Sequence, residues 1–139
     1  MKQTISLGHK EAELAIQVIK AEVERRKKAV VIAVGDAHGE LIALLRMDGA
    51  LLPSTVVATN KVWTAARERK PSGEIGRSAR DPQTGFAMSN YGDPRYLSWG
   101  GGVPVFVNGD VVGAVSVSGL AEGEDEELAQ IGVAAIVEC

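Results

Sequence analysis

Few side chains in this 139-residue chain are equipped for chemistry. The histidines are His9 and His38. Neutral imidazole ligates metals, but no second ligand pair at a familiar spacing accompanies these two, so a zinc site is not indicated. His9 is expected in the first turn of a helix, where the dipole disfavours imidazolium, and His38 in a solvent-accessible hairpin loop. Residues 71–99 hold Phe86, Tyr91, Tyr96 and Trp99, four of the six aromatics, together with Met88, Arg77, Arg80 and Arg95. Aromatic faces beside guanidinium groups suit a flat apolar ligand that carries carboxylates. Anchoring of the loop, or a subunit contact, explains the same aromatics. Arg46 and Lys61 could clamp a small anion near a helix start, although ion pairing with Asp48 or Glu68 accounts for them as well. Hydrolysis is poorly served: Ser116 and Ser118 lie on a strand with no G-x-S-x-G elbow, and Cys139 is terminal without a recognisable partner. Turn formation already accounts for Asp36 and Asp48.

The glycine-rich stretch GGGVPVFVNGDVVGAVSVSG, residues 100–119, raises the question of a phosphate loop. Such a loop must lead into a helix whose free N–H groups meet the anion. Here the glycines lead into Val-Pro-Val-Phe-Val, which is strand, and no Lys-Ser or Lys-Thr follows. Asn108-Gly109 is the preferred pair for a two-residue type I′ turn, so the stretch predicts a β-hairpin. The acidic run Glu122 to Glu127 complements a helix N-terminus and would repel phosphate.

The elements that must position these residues follow from periodicity. Ser6 is expected to cap a helix reaching about Lys28, with Ala12, Ala15, Ile16, Ile19 and Val23 on one stripe. Two strand-length apolar runs flank Gly35-Asp36-Ala37-His38-Gly39 and read as a hairpin. The first of them, Val30 to Val34, is apolar throughout, which indicates cover on both faces. Pro53-Ser54 starts a second helix reaching about Arg69, with a small-residue face of Ala58, Val62, Ala65 and Ala66. Residues 71–99 show no clear periodicity, and a connection that long is often a binding loop. The hairpin of residues 100–119 and a helix from about Glu122 to Val137 complete the order α-β-β-α, long loop, β-β-α. Two hairpins with helices packed on them give an α/β (α+β) fold with a mainly antiparallel sheet.

Length fits one domain over residues 1–139. Hydrophobic residues make up 45%, charged residues 24%, and the formal net charge is −3. That balance, with no cationic run beyond Arg25 to Lys28, gives no reason to expect a nucleic-acid partner. No apolar run approaches the roughly 18 residues of a membrane span, and no export signal opens the chain, so a cytoplasmic protein is expected. A single cysteine fits a reducing compartment.

Three segments, VGDAHGELIALLRMDGA, NKVWTAARERKPS and GGGVPVFVNGDVVGAVSVSGLAEGEDEELAQIGVAAI, resemble the haem-binding GlcG/HbpS-like family. That family also supplies the C-terminal domain of PduO-type cobalamin adenosyltransferases. The likeness runs over residues 4–137. It is most specific at Arg46-Met47-Asp48, at Lys61 with Thr64-Ala65-Ala66, at Gly100 to Gly102, and from Gly113 to Gly119. It implies a profilin-like sandwich that assembles into homo-oligomers, often octamers. It also implies haem, or less readily a corrinoid, as ligand, with links to haem degradation, redox sensing, and glycolate or diol metabolism. His38 stands where relatives commonly have glycine in D-x-G-G, so it is a departure from the family pattern.

The first functional expectation is therefore a cytoplasmic, oligomeric tetrapyrrole-binding protein. His9 or His38 would ligate iron, with Met88 or Tyr91 as weaker candidates, and Arg77, Arg80 or Arg95 would pair with propionates. The alternative is an enzyme or binding subunit for a small carboxylate or hydroxy acid held by Arg46 and Lys61. A scaffold or assembly protein is the third reading. Whether the chain is an enzyme stays open.

Overall fold

In a computed structural model, which describes residues 1–139, nine segments of regular structure follow one another. Helix α1 (His9–Arg25) precedes strands β1 (Val31–Gly35) and β2 (Leu41–Arg46). Helix α2 (Ser54–Glu68) leads to helix α3 (Ser72–Ala79) and a 3-10 turn (Met88–Tyr91). Strands β3 (Gly102–Val107) and β4 (Asp110–Ser118) are followed by helix α4 (Glu122–Val137). The sheet order is β2-β1-β4-β3 and every neighbouring pair is antiparallel. The expected α/β sandwich is what forms.

Both faces of the sheet are covered, which is why β1 is buried at every position. On one face, Ala12, Ala15, Ile19 and Val23 of α1 and Leu128, Ala129 and Ile136 of α4 meet Val30, Ile32, Val34, Val115 and Val117. On the other, Ala58, Val62, Ala65 and Ala66 of α2 meet Val31, Ala33 and Ala114. Small side chains there let the helix approach the strands closely. The β3–β4 turn has φ of 52° at Asn108 and 84° at Gly109, the two positive values of a type I′ turn.

Two expectations need correction. Ser6 does not cap α1: its hydroxyl accepts the Ala37 N–H at 3.0 Å, tying the N-terminal segment to the β1–β2 loop. Gly8 occupies the cap position, and the Glu11 carboxylate accepts the Gly8 N–H at 3.1 Å. The helix also stops short of Lys28, because Lys27 turns left-handed at φ 58°. Second, residues 71–99 are not one structureless loop, since they contain α3 and the 3-10 turn. α3 escapes a periodicity search because its buried residues are Ser72, Gly73, Ile75 and Gly76, only one of them large and apolar. The chain packs closely there: a Cβ on Gly73 would come within 3.1 Å of Gly100 Cα.

Candidate functional site

Hydrogen bonds pin the segment from Pro71 to Trp99 to α2 and to the start of β3. Thr64 Oγ1 accepts the Leu97 N–H at 3.0 Å and donates to the Arg95 carbonyl at 3.3 Å. Ser72 Oγ donates to the Trp99 carbonyl at 2.7 Å and accepts the Gly102 N–H at 2.9 Å. Its aromatics form a ladder on buried Trp63. Tyr96 meets Trp63 edge-on at 6.2 Å, Tyr91 stacks on Tyr96 at 4.5 Å, and Phe86 follows at 6.3 Å. The guanidinium carbons of Arg67 and Arg95 lie 3.9 Å and 3.6 Å from the Trp63 ring centre. These rings largely serve one another, so the segment anchors itself with them.

That arrangement commits several of the residues singled out in the sequence. Arg95 is bound to Asp93 by two nitrogens, and this pairing holds the Asp93 carboxyl down at about 2. Burial, with the Glu68 carboxylate nearby, pushes the Tyr91 phenol up to about 12, which works against the phenolate that iron would need. Met88 is half-buried in the 3-10 turn. Arg77 is exposed on α3. Arg80 lines a cavity described next.

That cavity, of about 640 Å³, lies between the starts of α2 and α4. Leu51, Pro53, Val57, Trp99 and Leu120 supply its apolar wall. Lys61 and Asp125 form its floor, each 2% exposed, with Nζ 3.1 Å from Oδ2. Lys61 also donates to the Val117 carbonyl at 2.9 Å, and Asp125 Oδ1 accepts the Leu120 N–H at 3.1 Å. Burial pushes the Lys61 ammonium below its usual range and the Asp125 carboxyl above its own, while each partner's charge opposes the other's shift. The glycine triplet makes room for this pair. A Cβ on Gly101 would sit 2.6 Å from Lys61 Nζ, and one on Gly102 would strike the Lys61 carbonyl. The glycines cradle a lysine, not a phosphate.

Arg46 and Lys61 do not form the expected clamp. Arg46 is exposed on β2, in register with Val31 and, one strand further, Ser118, and it does not line the cavity. Lys61 is already held by Asp125.

The histidines lie elsewhere. His9 is the exposed first residue of α1 and lines neither hollow described here. His38 lines a smaller hollow of about 250 Å³ with Lys2, Ile5, Ala66, Arg69 and Val111 among its neighbours. Its loop is well fixed. Asp36 Oδ1 accepts the N–H groups of His38 and Glu40, and Arg67 donates to the His38 carbonyl at 3.2 Å. Gly39, at φ 82°, lets the turn lie on α2, where a Cβ would come within 3.0 Å of Trp63 Cα. The imidazole itself is exposed and takes part in no hydrogen bond within the chain.

Asp125, Ser54, Lys2 and Arg69 were not legible as site residues. Asp125 sits in an acidic run that helix-start electrostatics already explains, and its partner is 64 residues away.

Known proteins supply the remaining context. The model of the family described as "Haem degrading protein HbpS-like" matches residues 7–134. Protein GlcG of Escherichia coli K12 is 33% identical over 118 residues, 85% of each chain. Corrinoid adenosyltransferase PduO of Salmonella typhimurium is 29% identical over 123 residues, 86% of this chain but 37% of that protein. The chain thus spans well under half of that relative's length. The crystal structure of HbpS superposes with a TM-score of 0.83 at 30% identity, covering 96% of this chain and 92% of that one. A PduOC complex with haem gives 0.86 at 24%, covering 94% and 95%, and so speaks for the shared fold. With its helices, its antiparallel sheet and nearly its whole length matched, this chain belongs to the HbpS-like family.

Proposed function

We propose that this protein binds a tetrapyrrole, haem foremost and a corrinoid as second candidate, at the hollow built around His38. The observation that carries the reading is local: one unengaged imidazole shares that hollow with two cations, Lys2 and Arg69, and with apolar Ile5 and Val111. Family membership supplies the ligand class, since the family is described by haem chemistry and the PduOC relative is a haem complex. A volume of about 250 Å³ is too small to enclose a porphyrin, so the ring would be held at one edge and part of one face. His38 would supply a nitrogen ligand to the iron, and Lys2 and Arg69 would pair with propionates. Arg67 keeps the His38 backbone in place from below. Bound haem would bring redox-active iron; the chain's own part is to ligate, orient and partly desolvate it. The uncovered face of the ring is where a second copy of the chain would close the site, in keeping with a homo-oligomer, up to an octamer, working in the cytoplasm.

Haemin titration followed by the Soret band tests this. The wild type should saturate at one haem per chain with a shifted band, and His9→Ala should behave like it. His38→Ala should lose the shift and bind about tenfold or more weakly, the loss of one good ligand interaction. Absence of saturable stoichiometry in the wild type, or an unchanged spectrum in His38→Ala, would overturn the proposal.

A further inference from the structure

The larger cavity is not needed for tetrapyrrole ligation: among its lining side chains there is no histidine, cysteine, methionine or tyrosine. Its polar groups nevertheless stand uncommitted in a way that a purely structural ion pair does not require. Four serines of this half of the molecule are buried, and two of them are occupied. Ser72 Oγ is bonded to Trp99 and Gly102, and Ser116 Oγ donates to the Ala58 carbonyl at 2.6 Å. Ser54 and Ser118, 6% and 5% exposed, line the cavity and spend their hydroxyls on no hydrogen bond within the chain. Lys61 has three N–H protons and two acceptors, Val117 and Asp125, so one proton remains. The buried atoms without a partner are Thr55 Oγ1 and Trp63 Nε1, so the Ser54 and Ser118 hydroxyls reach solvent through the cavity, where a ligand beside the apolar wall would replace water on them.

Charge selects the ligand. Lys61 and Asp125 neutralise each other at 3.1 Å, and the Glu122 carboxylate is occupied by the Gly100 N–H at 2.7 Å. Arg80 lines the cavity without any ion pair. Helix α2 opens onto it with no acidic residue in its first turn; the carbonyls of Leu51, Leu52 and Pro53 take the N–H groups of Ser54, Thr55 and Val57, so the helix contributes only its dipole. The Glu122 carboxylate, which keeps its charge on the Gly100 N–H, penalises a dianion more than a monoanion. We infer that the cavity between the starts of α2 and α4 binds a small organic monocarboxylate. The carboxylate would lie among Arg80, Ser54, Ser118 and Lys61, and the apolar body against Leu51, Val57, Leu120 and the exposed ring of Trp99. A volume of about 640 Å³ is that of a site for a ligand of one or two rings or a medium alkyl chain.

Calorimetry with 2-naphthoate and with octanoate tests the inference, with 2-naphthamide and inorganic phosphate as comparisons. At least one of the two carboxylates should bind saturably at one per chain in the micromolar to low-millimolar range, and 2-naphthamide and phosphate at least about tenfold more weakly. Arg80→Gln and Ser118→Ala should each weaken the carboxylate by about tenfold while leaving thermal unfolding nearly unchanged. Haemin-loaded and haem-free protein should bind it equally. Saturable binding of neither carboxylate, equal affinity for the amide, or indifference to both substitutions would overturn the inference. So would competition with haemin, which would give this cavity to the tetrapyrrole. A protein that binds haemin through His38 yet fails these tests would leave the tetrapyrrole proposal standing and remove only this one.

Discussion

The two faces of the sheet are built on different principles. The face under α1 and α4 is closed by sixteen buried hydrophobic residues, mostly Val, Ile and Leu, and its polar contacts lie at the rim. There Arg26 joins Glu22 of α1 to Glu124 and Glu127 of α4, and Lys28 also reaches Glu124 at 2.7 Å. The face under α2 has only seven buried hydrophobics, five of them alanine, yet it carries Lys61, Thr64, Ser116 and Ser118 as buried polar groups. One face holds the fold together. The other gives up apolar burial so that a helix can sit close enough to the strands to carry polar side chains, and both hollows open along it or its edges. Apolar burial is thereby concentrated on one side of the sheet, and both hollows touch the other side, the larger one reaching across to the start of α4.

The largest expected effect comes from breaking the polar face. Lys61→Met leaves Asp125 buried without its partner and should cost about 3–5 kcal/mol in urea unfolding. The double variant Lys61→Met, Asp125→Leu should recover most of that loss. A single variant as stable as wild type would mean that the pair is not the buried, mutually dependent unit described here. The apolar face should yield somewhat less to a single truncation. Ile19→Ala, which empties the space beside Gly132, should cost about 2–5 kcal/mol while haemin and carboxylate affinities stay within about twofold. Lost binding at retained fold would blur the division between the faces.

A smaller effect, read by pH, separates the rim contacts from the interior. The Arg25 and Arg26 guanidiniums hold the Glu22 carboxyl down at about 2, and Arg95 does the same for Asp93. Unfolded, such groups titrate near 4. A carboxyl depressed in the folded state stabilises it fully above the unfolded value and ceases to do so as pH falls through the folded one. Urea midpoints should therefore be level above about pH 5 and decline from there towards pH 2, with a shallower decline in Glu22→Gln and in high salt. Both groups are half-buried and still in reach of solvent, so the change should be modest. A midpoint that rises on acidification would contradict the assignment.

Much of the architecture was readable beforehand because it rests on local chemistry. The unbroken apolar run from Val30 to Val34 requires cover on two sides, and Asn108-Gly109 specifies its turn without help from the rest of the chain. The acidic start at Glu122 marks the last helix where it forms. What escaped detection depends on distant partners. Helix α3 is held by glycine contacts with Ser98 and Gly100, so its own sequence shows almost no apolar stripe. The glycine triplet at 100–102 was recognisable as strand entry, but its purpose, room for Lys61 against Asp125, requires three separate elements to be brought together. In the sequence alone the aromatics of residues 71–99 suit a cavity wall and an anchor equally. Most anchor, and only Trp99 faces the larger cavity.

The most direct trial of the functional account is the electronic spectrum of ferric haem on the wild type and on His38→Ala, recorded side by side at equal loading. Nitrogen ligation by His38 predicts a displaced, protein-specific band in the first and a return towards free haemin in the second. Superimposable spectra would show that His38 does not hold the iron, and the account of the smaller hollow would fall.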